Sequence, residues 1–264
     1  MLYREYPPHP ALAAHVECMW TARVPDVAPG RAHAYRVLPD NCVDILWQDG
    51  GQHGFAVGMM TTAIHVASAG PVRTVAVRFR PGAAGRFLAA PLHALTDQRA
   101  DIDQLWGRSD ADRLADALWK RELDDRRRIE LIELQLLKRL DNPAAASQAG
   151  DRLVQRALLA LDGSGGSLRI DDLAAGLGVS RQHMAAQFRS KVGLSPKLYA
   201  RICRFRRATA TLSAAPGPGP GPHTGTGPDW AQLALDCGYF DQSHLIHDFQ
   251  EFAGSTPERF VLAA

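Results

Sequence analysis

The feature that most constrains this chain is a segment that occurs twice near its C-terminus. The first copy has, in order, Leu173-Ala174, Gly178, Phe188, Gly193 and Ser195-Pro196. The second copy has the matching set Leu233-Ala234, Gly238, Phe249, Gly254 and Thr256-Pro257. The interval between matching residues is constant up to Gly238 and is longer by one from Phe249 onward. A duplicated supersecondary unit can define a fold by itself, so the repeat decides how the C-terminal part is interpreted.

Each repeated residue suits a helix-turn-helix unit. A small Ala lets two helices cross closely, and a Gly four residues later permits the left-handed backbone of the turn. Apolar residues then recur at helical spacing and predict the buried side of a second helix; they are Met184 and Phe188, and Leu245, Phe249 and Phe252. The Ser-Pro and Thr-Pro pairs predict the start of a further helix, because the hydroxyl caps free N–H groups and Pro fits the first turn.

The residues around the first copy are also helical in pattern. Between the copies, one apolar helical face predicts a long connecting helix; it comprises Leu198, Ile202, Phe205, Thr209 and Leu212. Before the first copy, a helix is predicted to stop at the Gly163–Gly166 run. Residues 151–264 are therefore predicted to be all-α, with a Pro/Gly-rich surface loop at 214–228 that contains Pro216–Pro222.

The N-terminal part has a different periodicity. Runs such as Val43–Gln48 and Val75–Phe79 alternate apolar and polar residues and predict strands up to about residue 105. Helices are predicted over 108–141, ending before Asn142-Pro143. The predicted fold class is α+β: a strand-rich, barrel-like domain with helices (1–142), a linker (143–150) and the all-α domain.

The C-terminal arrangement resembles the DNA-binding domain of the AraC/XylS family, over roughly residues 151–262. The most specific segment runs from Leu233 to Leu245 and continues to Phe249 and Gly254–Pro257. The N-terminal half resembles the sensor-like domain of an AraC-type subgroup through Arg36–Asp40 and Val77–Gly82. The resemblance implies that each second helix enters a major groove, the two grooves being about 34 Å apart on one face of the DNA.

The exposed start of each second helix supplies the candidates for contacts with DNA bases. They are Arg181, Gln182 and Ala185 in the first unit and Gln242, Ser243 and His247 in the second. Gln can pair with adenine and Arg with guanine, whereas Ala offers only a methyl contact. The alternative for any one of these positions is ordinary solvent exposure.

Charge is distributed unevenly between the two units. Residues 181–207 contain eight Arg or Lys and no Asp or Glu, although the formal net charge of the chain is only +2. The candidates for phosphate contacts are Arg189, Lys191, Arg201, Arg204 and Arg207, with solubilisation of the linking helix as the alternative. Residues 229–264 contain six Asp or Glu and a single Arg. The first unit and the linking helix are therefore expected to supply most of the salt-dependent affinity.

Enzymatic and metal chemistry find little support in the sequence. The four cysteines are widely scattered, and no nucleophile elbow, phosphate-binding loop or His-Glu-x-x-His motif occurs. His244, His247 and Asp248 share a helix but are not favoured as a metal site. No enzyme activity, cofactor or metal is predicted, and the lack of a signal peptide or long apolar stretch predicts a cytoplasmic protein without a membrane partner.

The expected function is that of a sequence-specific transcriptional regulator bound to double-stranded DNA. A small-molecule effector in the N-terminal domain, RNA polymerase and a second copy of the chain are further candidate partners. No effector-binding residues are assigned, because the apolar candidates are more often plain core; they are Trp20, Trp47, Phe55, Met59 and Met60. The helix at 126–140 could form a dimer interface or pack on its own strands. Two other functions stay open: a DNA-repair or other enzyme targeted by the helix-turn-helix units, and an interaction adaptor with weakened DNA binding.

Overall fold

A computed structural model describes residues 1–26, 33–51, 53–68, 70–88, 90–141, 151–214 and 228–262. The predicted linker at 143–150 and nearly all of the predicted Pro/Gly-rich loop lie outside these residues. Within them, no helix has the length and apolar character needed to cross a membrane.

The N-terminal domain contains eight strands among its described residues. They are β1 (Leu2–Tyr6), β2 (Val16–Val24), β3 (His33–Val37), β4 (Val43–Gln48), β5 (Phe55–Val57), β6 (Ile64–Ser68), β7 (Val72–Phe79) and β8 (Arg99–Asp101). Six of them form an antiparallel sheet in the order β1-β2-β7-β4-β5-β8, while β3 and β6 pair as a separate ribbon. The predicted strand-rich domain is confirmed. Its main sheet is open, with β1 and β8 at the two edges.

The two faces of the main sheet differ because side chains alternate along each strand. One face supplies the principal core, in which Met19, Ile45, Trp47 and Phe79 are almost fully buried. The other face carries a smaller cluster; it consists of Cys18, Trp20, Ala22 and Ala76, with Leu46 packed against it.

Three helices follow the strands: α1 (Ile102–Trp106), α2 (Arg108–Trp119) and α3 (Asp125–Leu140). Helices α2 and α3 lie within the range predicted to be helical, 108–141, whereas α1 lies before it, where strands were predicted up to about residue 105. The apolar side of α3 is buried within the same chain, since Ile129, Ile132 and Leu136 are at most 5% exposed. This packing favours the intramolecular alternative for the α3 stripe.

The C-terminal domain is all-helical over its described residues. It comprises α4 (Asp151–Gly163), α5 (Ile170–Gly176), α6 (Arg181–Val192), α7 (Pro196–Ala214), α8 (Trp230–Asp236), α9 (Gln242–Ala253) and α10 (Pro257–Leu262). The pairs α5–α6 and α8–α9 are the two predicted helix-turn-helix units, and α7 is the predicted connecting helix. Gly178 and Gly238 have φ angles of +69° and +81°, which explains why glycine recurs in the two turns.

The two domains share one apolar core. Gly193 ends α6 with a φ of +95°, and its backbone is buried against Met59 and Leu92 of the N-terminal domain. Its carbonyl oxygen accepts a hydrogen bond from the Thr96 hydroxyl at 3.1 Å. At the second unit, the Arg36 guanidinium donates to the Ala253 carbonyl at the end of α9 (3.2 Å). The N-terminal domain thus contacts the C-terminal end of both second helices.

Candidate DNA interface

The second helix of each unit is held by its apolar side against α7. In the first unit the Phe188 and Tyr199 rings meet edge to face, with centroids 5.4 Å apart. In the second unit the Phe205 and Phe249 rings do the same at 5.0 Å. Because both helices pack on α7, one helix supports the exposed surfaces of the two units.

The start of each second helix is fixed by a side-chain cap. The Ser180 hydroxyl accepts a hydrogen bond from the backbone N–H of His183 (3.2 Å), and the Asp241 carboxylate accepts one from that of His244 (2.8 Å). Such caps satisfy N–H groups that have no partner within the helix. The residues that follow each cap are therefore presented on an ordered first turn.

The predicted base-contact residues lie where the sequence pattern places them. Arg181, Gln182, Gln242, Ser243 and His247 are exposed, and Ala185 is half-buried. The Arg181 guanidinium also contacts the Asp171 carboxylate of α5 at 2.8 Å, in an exposed pair. Exposed pairs contribute little to stability, so Arg181 can leave this partner at little cost. Base contact by these six residues stays a prediction.

Arg201, a predicted phosphate-contact residue, is engaged within the protein. Its guanidinium lies 2.6 Å from carboxylate oxygens of both Asp248 and Glu251 of α9, and 4.9 Å from the centre of the Phe252 ring. Hydrogen bonding from Arg201 holds the pKa of Glu251 below its usual value. Arg201 thus ties α7 to α9, and two of the acidic residues of the second unit serve as its partners.

Arg204, another such residue, is also half-buried and internally bonded. Its guanidinium donates to the Gly166 carbonyl and lies over the Tyr239 ring, 5.4 Å from the centroid. Phosphate contact by Arg201 and Arg204 stays a prediction, but the structure gives both side chains a role in packing. The other predicted phosphate contacts differ: Arg189 and Arg207 are exposed, and Lys191 is half-buried.

Asp248 and Glu251, the two partners of Arg201, also belong to the one group of potential metal ligands found among the described residues. Ligand atoms of His247, Asp248 and Glu251 lie within 4.8 Å of one another. However, Arg201 donates to both carboxylates. A guanidinium in that position supplies the positive charge that a metal ion would otherwise bring, so the cluster is an ion-pair network.

The structure exposes a large aromatic residue to which the sequence interpretation assigned no role. Phe240, in the turn before α9, is 83% exposed. A signal for it was present, because the interval between matching residues of the two copies grows by one between Gly238 and Phe249. The helix caps Ser180 and Asp241 are separated by the same, longer interval as Phe188 and Phe249. The additional residue of the second copy therefore lies between Gly238 and Asp241. The second unit therefore has a longer turn than the first, and this turn carries an aromatic side chain.

The apolar residues considered for an effector pocket divide between the two faces of the main sheet. Trp47 and Met59 belong to the principal core, whereas Trp20 belongs to the smaller cluster on the opposite face. On that second face, Arg78 donates two hydrogen bonds to Asp44 (3.0 and 3.1 Å) and lies 3.4 Å from Asp40. Burial raises the pKa of Asp44 to about 6, with Arg78 acting in the opposite sense.

All four cysteine thiols are buried and unpaired. Burial raises the pKa of Cys18 to about 11 and that of Cys203 to about 12. Burial also raises the pKa of Cys42 and Cys237. The thiolate is the reactive form of cysteine, so these environments do not favour a thiol-based repair reaction.

The two paired units, their shared helix and their exposed polar surfaces define a DNA-binding domain of the double helix-turn-helix class. Residues 173–262 match a family model described as a helix-turn-helix domain. This match agrees with the resemblance of the C-terminal part to the DNA-binding domain of the AraC/XylS family of transcriptional regulators. Residues 4–101 match a second model, described as a domain of unknown function (DUF6597).

Comparison with other proteins gave only remote similarities. No curated protein matches the chain significantly. ToxT from Vibrio cholerae O395 is 10% identical, with a TM-score of 0.45, covering 92% of this chain and 95% of ToxT. The DNA-binding domain of AdpA, in complex with a target DNA, is 22% identical, with a TM-score of 0.34, covering 42% of this chain and 90% of that one. An AraC-type regulator from Chromobacterium violaceum is 22% identical, with a TM-score of 0.35, covering 43% and 92%. These values are too low to transfer a ligand or a partner.

Proposed function

We propose that this regulator binds one DNA duplex with α6 and α9 in neighbouring major grooves. The observation that carries the proposal is the packing of both second helices on α7, which leaves Gln182 and Gln242 exposed on their capped first turns. Such glutamines can read adenine in the major groove. A single chain with two such helices can span about one turn of DNA.

We further propose that the two units contribute unequally to affinity. In the first unit and the linking helix, the exposed Arg189 and Arg207 have no acidic neighbour within the 181–207 segment. In the second unit, acidic residues outnumber basic ones. Phosphate attraction then comes mainly from the first unit, and the second contributes sequence preference.

An effector that binds the N-terminal domain is the second part of the proposal. The loop that contains Asp40 and Asn41 joins the Arg78–Asp44 cluster of the main sheet to α7. A ligand that bound next to this cluster and displaced the loop would shift the helix on which both DNA-binding units pack. Such coupling requires that the ligand have different affinities for the two arrangements.

The direct test is selection of duplexes from a random library by the purified full-length protein, followed by footprinting on the enriched sequence. We expect one enriched motif with two protected major-groove segments about 10 base pairs apart, centre to centre. Absence of enrichment, or protection of one groove only, would contradict the two-groove proposal. Sedimentation of the same complex gives the number of protein chains per duplex and so tests whether a second copy of the chain binds. Addition of RNA polymerase to the complex tests whether the polymerase is a partner.

A further inference from the structure

Phe240 lies outside the packed parts of the described residues. Its neighbour Tyr239 is only 5% exposed and packs under the Arg204 guanidinium. Phe240 itself is 83% exposed. The turn thus directs one aromatic ring into the core and the next into solvent, so the fold does not need the Phe240 side chain.

The position of Phe240 has no aromatic equivalent in the first unit. There, Gly178 is followed by Val179 and then by the cap Ser180. In the second unit two aromatic residues separate Gly238 from the cap Asp241. The aromatic ring therefore adds to the second unit a surface that the first unit lacks.

The exposed ring is supported from one side by the recognition helix. The His244 ring meets the Phe240 ring edge to face, with centroids 6.0 Å apart and an interplanar angle of 83°. His244 is in turn held by Asp241, whose carboxylate oxygen lies 3.1 Å from Nδ1 and accepts the His244 backbone N–H. The contact with His244 places the Phe240 ring beside the first turn of α9, next to the exposed Gln242 and Ser243.

The charge of the second unit indicates what kind of contact this ring can make. Residues 229–264 contain six acidic residues and one Arg, so attraction to phosphates is weak there. An apolar contact does not depend on that charge. In the major groove the apolar group that distinguishes one base from the others is the 5-methyl group of thymine.

We propose that Phe240 contacts the 5-methyl group of a thymine in the half-site that α9 reads, which makes it a specificity-determining residue of the second unit. This inference rests on the proposed function, in which α9 enters a major groove. Phe240 and His244 then act together, with His244 as a positioning residue for the ring.

The test uses the duplex that the wild-type protein selects, with each thymine of the α9 half-site replaced in turn by deoxyuridine, which lacks only the methyl group. At one position we expect wild-type affinity to fall about fivefold, as for the loss of one methyl contact. On the thymine duplex, the affinity of F240A should be about fivefold lower than that of the wild type. Replacing the thymine by deoxyuridine should not lower the affinity of F240A any further. F240L should retain part of the preference for thymine over deoxyuridine.

L262A is the matched control, because Leu262 of α10 is 82% exposed and lies outside the helix-turn-helix pair. L262A should bind the selected duplex with wild-type affinity. F240A and L262A should both keep the wild-type melting temperature. If F240A binds the thymine duplex as tightly as the wild type does, the inference is wrong. Equal loss by F240A on thymine and deoxyuridine duplexes would also overturn it, and would indicate a sugar contact instead. If the wild-type protein selects no sequence at all, the proposed function itself fails.

Discussion

The side-chain amide of Asn41, in the N-terminal domain, donates a hydrogen bond to the Tyr199 carbonyl oxygen in α7 at 3.2 Å. The same Nδ2 atom lies 3.4 Å from the Cys203 sulfur, one turn further along that helix. Asn41 is fully buried and has a φ of +64°, in the left-handed region that Asn tolerates better than most residues. A loop between two strands is thus anchored on the helix that supports both DNA-binding units.

The anchoring of this loop can be measured with two substitutions of Asn41. Asn41→Gly removes the hydrogen bond but accepts the positive φ, and should lower the free energy of unfolding by about 1 kcal/mol. Asn41→Ala also removes the hydrogen bond but keeps a Cβ in the left-handed region, which Ala tolerates less well than Asn, and should cost about 1 kcal/mol more than Asn41→Gly. Denaturant unfolding of the full chain measures both. Equal stability of the two variants would show that backbone strain at this position is unimportant.

Coupling between an effector and DNA can be tested with the same Asn41→Gly variant. A compound found by its stabilisation of the wild-type protein against heat should also change the affinity of the wild-type protein for the selected duplex. In the variant we expect the thermal stabilisation to persist and the change in DNA affinity to shrink, because the loop no longer holds α7. An unchanged DNA response in the variant argues against this route.

Gly193 and Gly254 occupy equivalent positions and provide an internal control for domain packing. Both end a recognition helix with positive φ, so Ala at either position should cost about 1 kcal/mol through backbone strain. At Gly193 an added Cβ would also lie 2.4 Å from the Met59 side chain and 2.9 Å from the Leu92 carbonyl oxygen. At Gly254 an added Cβ would have no other atom within 4 Å, apart from those of the adjacent residues and its own helix. Gly193→Ala should therefore be the more destabilising by at least about 1 kcal/mol. If calorimetry gives equal losses, the two domains do not pack tightly at this point.

Arg201 should behave as a structural residue when it is replaced. Arg201→Ala leaves Asp248 buried without its partner, and should destabilise the chain by about 3 kcal/mol. The double variant Arg201→Met with Asp248→Leu should recover much of this loss, because neither charge is then buried alone. Unfolding curves of the single and double variants complete the cycle. Wild-type stability in Arg201→Ala, with a smaller salt dependence of DNA binding, would instead support the predicted phosphate contact.

The exposed arginines should account for the salt dependence of DNA binding. Arg189→Ala and Arg207→Ala should each reduce the slope of log affinity against log salt by about 0.9, without a change in sequence preference. Arg23→Ala is the control, since Arg23 is an exposed residue of the N-terminal domain that pairs with Asp125. Titrations at several salt concentrations give the slopes. Unchanged slopes in both variants would place the phosphate contacts elsewhere.

The two helix-turn-helix units could be predicted because their determinants are local. Gly178 and Gly238 are needed by the turns themselves, and Ser195-Pro196 and Thr256-Pro257 precede helices regardless of what surrounds them. The pairing of Arg201 with Asp248 could not be predicted in this way, because the residues are 47 positions apart and their meeting depends on how α9 packs on α7. The Asn41–Tyr199 contact is separated by 158 positions and depends on the docking of one domain on the other.

The strand-rich domain was predictable for a similar reason, since alternation along Val43–Gln48 reports burial on one side of a strand. The order of the strands could not be predicted in the same way. β2 and β4 both pair with β7, far along the chain, and alternation along one strand does not show which strands it pairs with. Phe240 lay within reach of the sequence, because the change in the interval between the two copies marks the lengthened turn.

The shared core around Gly193, Met59 and Leu92 bears on how such a regulator can diversify. Sensor and DNA-binding segments that meet through separate, polar surfaces can be recombined between genes with little loss. Here the end of α6 is buried against apolar residues of the N-terminal domain. A chimaera that joined this C-terminal half to a foreign N-terminal domain would expose Val192, which is now buried next to Gly82, and would be prone to aggregate. If α6, α9 and the Phe240 turn read DNA as proposed, new specificities are then more readily acquired by point changes on them than by exchange of whole domains.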